Sequence, residues 1–318
     1  MSDKRFSVVI VGARGHTGSE LLPLLWKHPN FKVSAVGSGS AVGDPIKAHI
    51  ESMADCPLAF SSITPDSLAQ FPADAYVLAL PNGHAAGFVA AVEQQNPNAV
   101  VVDLSADYRF DDNWAYGQPE RFADQIRVSR RIANPGCYAT GAYLALAPVI
   151  ADVVETPVAF GVSGYSGAGK TPSRKNDPNV LQDNLLPYKL TDDVHEKEVS
   201  HQLGRDIRLL PHVAPFFRGI SLTVAAELES PQNVECLLER FQAFYAGSEL
   251  IRVQADIPEV TEVRGTHNVV IGGFTVSAKN PRRISIVAVL DNLLKGAATQ
   301  AIQNLNLAFG LAPLAGLE

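Results

Sequence analysis

The feature that most constrains this chain lies at its start. Phe6 to Val11 (FSVVIV) is a short, β-branched apolar run, followed by Gly12-Ala13-Arg14-Gly15-His16-Thr17-Gly18 and then a leucine-rich helical pattern from Ser19 to Lys27. A strand, three glycines at intervals of three and a helix form the arrangement that cradles a dinucleotide. The first glycine permits the tight turn, the second lets backbone N–H groups approach the pyrophosphate, and the third lets the helix pack closely on the strand. The spacing is GxxGxxG rather than the commoner GxGxxG, and its weight comes from its place between a first strand and a helix.

The pattern that follows is that of an α/β domain. A second strand is expected at Lys32–Val36, and the near-continuous apolar runs Ala75–Leu80 and Ala99–Leu104 bracket a helix from about His84 to Gln94. Strands with little polar alternation, separated by helices, indicate a Rossmann-type, doubly wound parallel sheet covered on both faces. After Pro135 the texture changes. A helix is expected from Cys137, a strand at Val158–Val162, a Gly- and Ser-rich loop at Ser163–Arg174, and longer alternating strands at Gly219–Leu228, Gly273–Ser277 and Arg283–Leu290. Alternation suits a largely antiparallel sheet with one solvated face. Helices are expected at Val234–Tyr245, laid against that sheet, and at Asn292–Phe309. The division is a dinucleotide domain over 1–136 and an α+β catalytic and substrate domain over 137–290.

At the end of the second strand, NAD-binding versions of the motif usually carry an acid for the ribose 2′-hydroxyl. This chain reads Val36-Gly37-Ser38-Gly39-Ser40 there, with Arg14 in the glycine loop. Arg14 and Ser38 can hold a 2′-phosphate, so the expected cofactor is NADP(H), on Gly12, Arg14, Gly15, His16, Thr17, Gly18 and Ser38.

Composition narrows the class. Across 318 residues, 46% are hydrophobic and 19% charged, and the formal net charge is -7, which excludes a broad basic face for nucleic acid. No apolar run is long enough to span a bilayer. Three widely spaced cysteines give no disulfide framework, and eight histidines show no ligand spacing, so no metal site is expected and the chain reads as soluble and cytoplasmic.

Of the cysteines, Cys137 is set apart by Asn134-Pro135-Gly136-Cys137-Tyr138, where a helix begins at the sulfur. A helix N-terminus stabilises a thiolate, and the preceding glycine leaves its approach open. A thiolate working with a nicotinamide cofactor implies acyl chemistry: sulfur attacks an activated carbonyl, a leaving group departs, and hydride reduces the thioester. Reduction needs a proton donor, and His212 in Leu210-Pro211-His212 is the candidate, at a strand end with Arg218 six residues on to hold an anion.

These segments together resemble a known family. N-P-G-C-Y, G-Y-S-G-A-G-K (164–170), P-H-x-x-x-F-x-R-G-I (211–220) and D-N-L-L-K-G-A-A-T-Q-A (291–301) are similar to N-acetyl-γ-glutamyl-phosphate reductase, of the wider semialdehyde dehydrogenase group. The resemblance runs from the glycine loop to the last helix. It implies Cys137 as the nucleophile and His212 as the acid/base. It also implies that Ser166 and Gly167 belong to a loop over substrate and nicotinamide, that Asn292 contacts the cofactor, and that the C-terminal helix, 291–318, completes the first domain. Ser105-Ala-Asp-Tyr-Arg109 resembles the family's S-x-D-[FY]-R, in which Arg109 binds an anionic part of the substrate. A homo-oligomer is implied as well. The chain departs from the family at His16-Thr17-Gly18, where G-Y-x-G is frequent, and at Lys170, where arginine is frequent. Aspartyl or aminoadipyl phosphate as substrate, and a non-catalytic NADP sensor in which Cys137 merely packs, stand as the competing readings.

Overall fold

The computed structural model describes residues 5–317. Its first sheet grows from the apolar run that opens the chain. β1 (Phe6–Val11) leads through the glycine loop into α1 (His16–Lys27), followed by β2 (Phe31–Gly37), β3 (Ala75–Leu78), α2 (Ala86–Gln95), β4 (Val100–Asp103), β5 (Ala115–Tyr116), α3 (Pro119–Val128) and β6 (Arg131–Ala133). These strands form a six-stranded sheet in the order β2-β1-β3-β4-β6-β5, with every pairing parallel. Because successive side chains of a strand point to opposite faces, β1 feeds two cores. Val8 and Ile10 pack with Leu21, Leu22 and Leu25 of α1 and with Ala301, Ile302 and Leu305 of the C-terminal helix Thr299–Ala308, while Val9 and Val11 pack with Phe88, Val89 and Val92 of α2. Each such fully buried aliphatic side chain is worth about 1.5–3 kcal/mol in burial. The sheet is therefore doubly wound, and β1 lies at the point where strand order reverses.

Two of the three loop glycines are dictated by packing. Gly12 has φ +85°, and a Cβ there would lie 2.4 Å from the carbonyl oxygen of Ala79. A Cβ on Gly18 would lie 2.5 Å from both Cα and O of Ala13. Gly15 is different: its ideal Cβ meets nothing nearer than the Gly12 carbonyl oxygen at 4.0 Å.

The second sheet begins after α4 (Cys137–Leu146). β7 (Val158–Gly164), α5 (Pro178–Leu181), β8 (Leu186–Pro187), α6 (Val194–Leu203), β9 (Arg208–Ala214), β10 (Ile220–Glu227), α7 (Val234–Phe244), β11 (Ile251–Val253), α8 (Val260–Val263), β12 (Val269–Val276) and β13 (Arg283–Leu290) follow. The strand order is β11-β12-β13-β10-β7-β9-β8. Four of the six pairings are antiparallel, and the β7–β9 and β11–β12 pairs are parallel. α4 lies against β10 and β13, with Gly161 of β7 accepting the ring of Tyr138: a Cβ at Gly161 would sit 2.4 Å from that ring. On the opposite face Phe160 and Thr223 are exposed.

The chain divides into two compact units, Met1–Pro135 with Ala297–Glu318, and Gly136–Gly296. The single helix that the sequence suggests over Asn292–Phe309 is two elements, a π-helical turn at Leu294–Ala298 and the α-helix Thr299–Ala308. α6 was not expected, and β9 runs on past His212, where the sequence suggests a strand end. Among the described residues, no helix is long and apolar enough to cross a membrane.

These contacts separate the roles of the three glycines. Gly12→Ala and Gly18→Ala each lower unfolding stability by about 1–3 kcal/mol in denaturant titrations, whereas Gly15→Ala leaves the denaturation midpoint where it was.

Candidate active site

In the first unit, the end of β1 is tied to the end of β2, since the N–H groups of Gly12 and Ala13 both donate to Gly37 O at 3.1 Å. Gly15 is the N-cap of α1, and no side chain caps the helix there. An uncapped helix start beside a glycine with open space is a place a phosphate can occupy, because the first turn's N–H groups and the helix dipole favour an anion. The residues present therefore fit a dinucleotide. No carboxylate stands at the end of β2: Ser38 is buried, its Oγ accepts from Ser40 N at 3.3 Å, and Arg14 is exposed in the loop. His16 and Thr17 open α1 and are half-buried.

Asp107 accepts from the N–H groups of Gly83 and Ala85 at 2.6 and 3.1 Å, lashing the segment after β4 to the segment after β3. Arg109 is nearly buried, and its guanidinium donates to Asn134 O and Leu104 O, both at 3.0 Å. Those bonds orient Asn134, the first residue of the Asn-Pro-Gly-Cys turn.

In the second unit, Cys137 is the first residue of α4 and keeps partial exposure, while every later residue of that helix is buried. Gly136, its N-cap, donates its N–H to the Glu198 carboxylate at 2.9 Å, and Glu198 is fully buried. Glu198 lies on α6 three residues after His195, so the two share a face of that helix. Asp193 caps α6: one carboxylate oxygen accepts from the His195 backbone N–H at 2.9 Å and also pairs with the ring Nδ1 at 2.9 Å. The His195 side chain hydrogen-bonds Cys137, and the Tyr138 ring stands edge-on to the imidazole at 5.7 Å between centroids. With Nδ1 engaged by the carboxylate, Nε2 is the nitrogen left to serve the sulfur.

The electrostatics follow from that chain of contacts. Burial alone would depress the His195 pKa. The Asp193 hydrogen bond, the Cys137 sulfur and the Glu198 charge outweigh it and raise the pKa to about 9. Burial would raise the Asp193 carboxyl, but its bonds to His195 hold it below the usual range. Tyr138 and Tyr188, hydrogen-bonded to each other, are both pushed well above the ordinary phenol pKa, first by burial and then by neighbouring negative charge including Cys137. At neutral pH the site therefore holds an imidazolium between a carboxylate and the cysteine sulfur, with neutral phenols beside it. Such an arrangement can activate a sulfur nucleophile and donate a proton to an oxygen bound on it.

This geometry does not bring the side chain of His212, the proton donor expected from the sequence, to the sulfur. His212 Nδ1 faces its own strand's Leu210 carbonyl at 3.0 Å, and its ring packs on Phe160 at 4.6 Å. Phe160 occupies the face of the sheet opposite the one that receives Tyr138. Alternation along β7 and β9 puts His212 with it, away from α4. The main chain of His212 does serve the site, because its carbonyl accepts from Tyr138 Oη at 2.6 Å. The signal missed in the sequence is Asp193-x-His195-x-x-Glu198, a capping acid two residues before a histidine and a second acid one turn later.

The remaining expected residues come together around Asn292. Its Oδ1 accepts from Gly219 N at 2.7 Å, and its Nδ2 donates to Ser166 Oγ at 2.9 Å. Gly167 sits beside Ser163 and Asn292, and Arg218, next to Gly219, forms a two-point ion pair with buried Asp291 at 2.6 and 3.1 Å. Among the described residues, no cluster of three or more His, Cys, Asp or Glu could hold a metal ion.

A glycine-loop cradle on one unit and a cysteine hydrogen-bonded to a charged histidine on the other mark the semialdehyde dehydrogenase class. Residues 7–129 match the model for the NAD-binding domain of semialdehyde dehydrogenase, and residues 137–292 match the semialdehyde dehydrogenase dimerisation domain. The chain is similar to N-acetyl-gamma-glutamyl-phosphate reductase of Stenotrophomonas maltophilia, 49% identical over all of this chain and 99% of that protein. It is also similar to the protein of that name from Xanthomonas oryzae, 48% identical over 98% of each. In fold it is similar to aspartate semialdehyde dehydrogenase II from Vibrio cholerae (19% identity, TM-score 0.76) and to aspartate semialdehyde dehydrogenase with NADP from Candida albicans (16%, TM-score 0.74), each covering 96% of this chain and 99% of the other. The chain belongs to the N-acetyl-gamma-glutamyl-phosphate reductase family. It is an oxidoreductase that uses a nicotinamide cofactor.

The two histidines separate cleanly by substitution. His195→Gln lowers turnover by about 10²- to 10⁴-fold, while His212→Asn leaves it within roughly threefold, as for a residue outside the reacting centre. Because the His195 pKa is raised, its proton is present below about pH 9 and lost above it. The parent rate of reduction falls as pH rises through that value, and His195→Gln abolishes this limb of the profile.

Proposed function

We propose that the protein reduces N-acetyl-L-glutamyl 5-phosphate to N-acetyl-L-glutamate 5-semialdehyde and phosphate, a step of arginine biosynthesis, through a thioester on Cys137. The observation that carries this reading is the hydrogen-bonded Asp193–His195–Cys137 chain at the start of α4. The relatives' shared name supplies the substrate. The cofactor is NADPH, on Gly12, Gly15, Gly18 and the first turn of α1, with Arg14 and Ser38 toward the 2′-phosphate. The absence of an acid at the end of β2 supports that choice.

His195 holds the Cys137 sulfur as a thiolate, which attacks the acyl carbonyl carbon; the carbon–oxygen bond to phosphate breaks and inorganic phosphate leaves. Bound NADPH supplies the hydride that reduces the thioester carbonyl. The imidazolium of His195 delivers its proton to the oxygen as negative charge develops there and recovers it when the carbon–sulfur bond breaks, so the thiolate is regenerated and the aldehyde departs. Glu198 holds Gly136 N–H, and with it the turn that carries the sulfur. Arg218 and Arg109 are the cations for anionic parts of the substrate, Ser166 is a further substrate-binding residue, and Gly167 and Asn292 would contact the cofactor. The matched dimerisation domain supports a homo-oligomer, and three free cysteines suit the cytoplasm.

With saturating NADPH, the purified protein consumes N-acetylglutamyl phosphate with a kcat/KM at least roughly 100-fold above that for aspartyl phosphate, a margin that unpaired polar groups in a mismatched site produce. Cys137→Ala removes turnover while NADPH still binds by fluorescence titration. Equal use of both acyl phosphates contradicts the substrate, and turnover by Cys137→Ala contradicts the thioester.

A further inference from the structure

Asp291 ends β13 with no exposed surface, and its two carboxylate oxygens accept five hydrogen bonds. Oδ2 receives Arg218 Nε at 2.6 Å and Gly265 N at 2.7 Å. Oδ1 receives Arg218 Nη2 at 3.1 Å, Leu293 N at 2.9 Å and Leu294 N at 3.1 Å. The last two are the N–H groups that lead into the π-helical turn Leu294–Ala298, so the same carboxylate caps that turn and grips the guanidinium. The Asp291 carbonyl also accepts from Gly296 N at 2.9 Å. Gly296 in turn backs the nucleophile: a Cβ there would lie 2.7 Å from Cys137 Cβ and 3.2 Å from Cys137 Cα.

We infer that Asp291 is a positioning residue which sets the substrate-holding arginine and the support behind the nucleophile from one point. An arginine held through Nε and one Nη2 hydrogen cannot rotate about its last bonds, so the whole guanidinium keeps a fixed direction. The proposal deepens the reading of function above and rests on it. With Arg218 as the substrate-holding cation of that reading, its guanidinium is ordered in the free enzyme before substrate arrives. Pre-ordering lowers KM because less freedom is lost on binding. The π-helical turn belongs to the same device. Such turns recur at functional sites, and here its geometry presents a glycine to the cysteine's backbone side.

The substitution Asp291→Asn keeps shape and one acceptor oxygen. If that oxygen stays on Leu293 and Leu294 N–H, the amide nitrogen faces Arg218 Nε and Gly265 N, donor against donor, and the arginine loses its two-point hold while the cap survives.

In steady-state kinetics with NADPH and N-acetylglutamyl phosphate, Asp291→Asn raises the acyl-phosphate KM roughly tenfold or more, with kcat and the NADPH KM within about threefold of the parent, the pattern of lost substrate binding. Arg218→Ala raises the same KM, and adding Asp291→Asn to it has little further effect, because both substitutions remove one interaction. Arg218→Lys, which cannot make the two-point pair, shows the same KM rise and serves if Asp291→Asn does not fold. An unchanged KM in Asp291→Asn or Arg218→Lys, or fully additive losses in the double variant, overturns the inference. A parent enzyme that turns over no acyl phosphate overturns the functional reading and this inference with it, whereas turnover with unaltered KM overturns this inference alone.

Discussion

The hydrogen bond from the His195 ring to Asp193 is the contact on which the site depends. Asp193 is held in place by capping α6, so the ring it grips is fixed by secondary structure rather than by a mobile loop. Burial pulls the other way, since a desolvated imidazole loses its proton more easily than in water. With the carboxylate present the balance reverses and the imidazole stays charged beside the sulfur. A second acid on the same helix, Glu198, holds the backbone that leads into Cys137. One short helix thus carries the charged imidazole, its counter-charge and the anchor of the Cys137 turn.

The helix that Cys137 opens is kept close to its surroundings by missing side chains. Gly161 lets the Tyr138 ring lie on the sheet, and Gly296 lets the π-helical turn press on Cys137 from behind. Close packing on both sides leaves the sulfur little freedom except at its exposed edge, which is the geometry an attack on a carbonyl needs. In the nucleotide unit Gly12 and Gly18 serve the same economy of space, while Gly15 leaves room for a ligand rather than for a neighbour.

Much of this was legible in the residues. The glycine spacing after a β-branched strand specified the parallel sheet, and β13 begins and ends at the expected Arg283 and Leu290. Pro-Gly before Cys137 marked the helix start because that dipeptide ends one segment and leaves the next uncrowded. What was not legible depends on register. His212 and Pro211 differ by one position along a strand, and only the pairing of β9 with β7 shows that His212 turns away from α4. α6 was missed because its sequence, VHEKEVSHQL, is polar and gives little apolar periodicity. The π-helical turn was read as ordinary helix because its wider spacing is set by the Asp291 cap, a contact between side chain and backbone that no residue pattern announces.

The central claim is that the Cys137 sulfur carries the acyl group. Its most direct test is intact-protein and peptide mass spectrometry after mixing the enzyme with N-acetylglutamyl phosphate in the absence of NADPH. The account predicts a single acyl adduct, confined to the peptide containing Cys137, that disappears on addition of NADPH as aldehyde forms. An enzyme that forms aldehyde from this substrate while the Cys137 peptide stays unmodified, or that carries the adduct on Cys56 or Cys236, would contradict it.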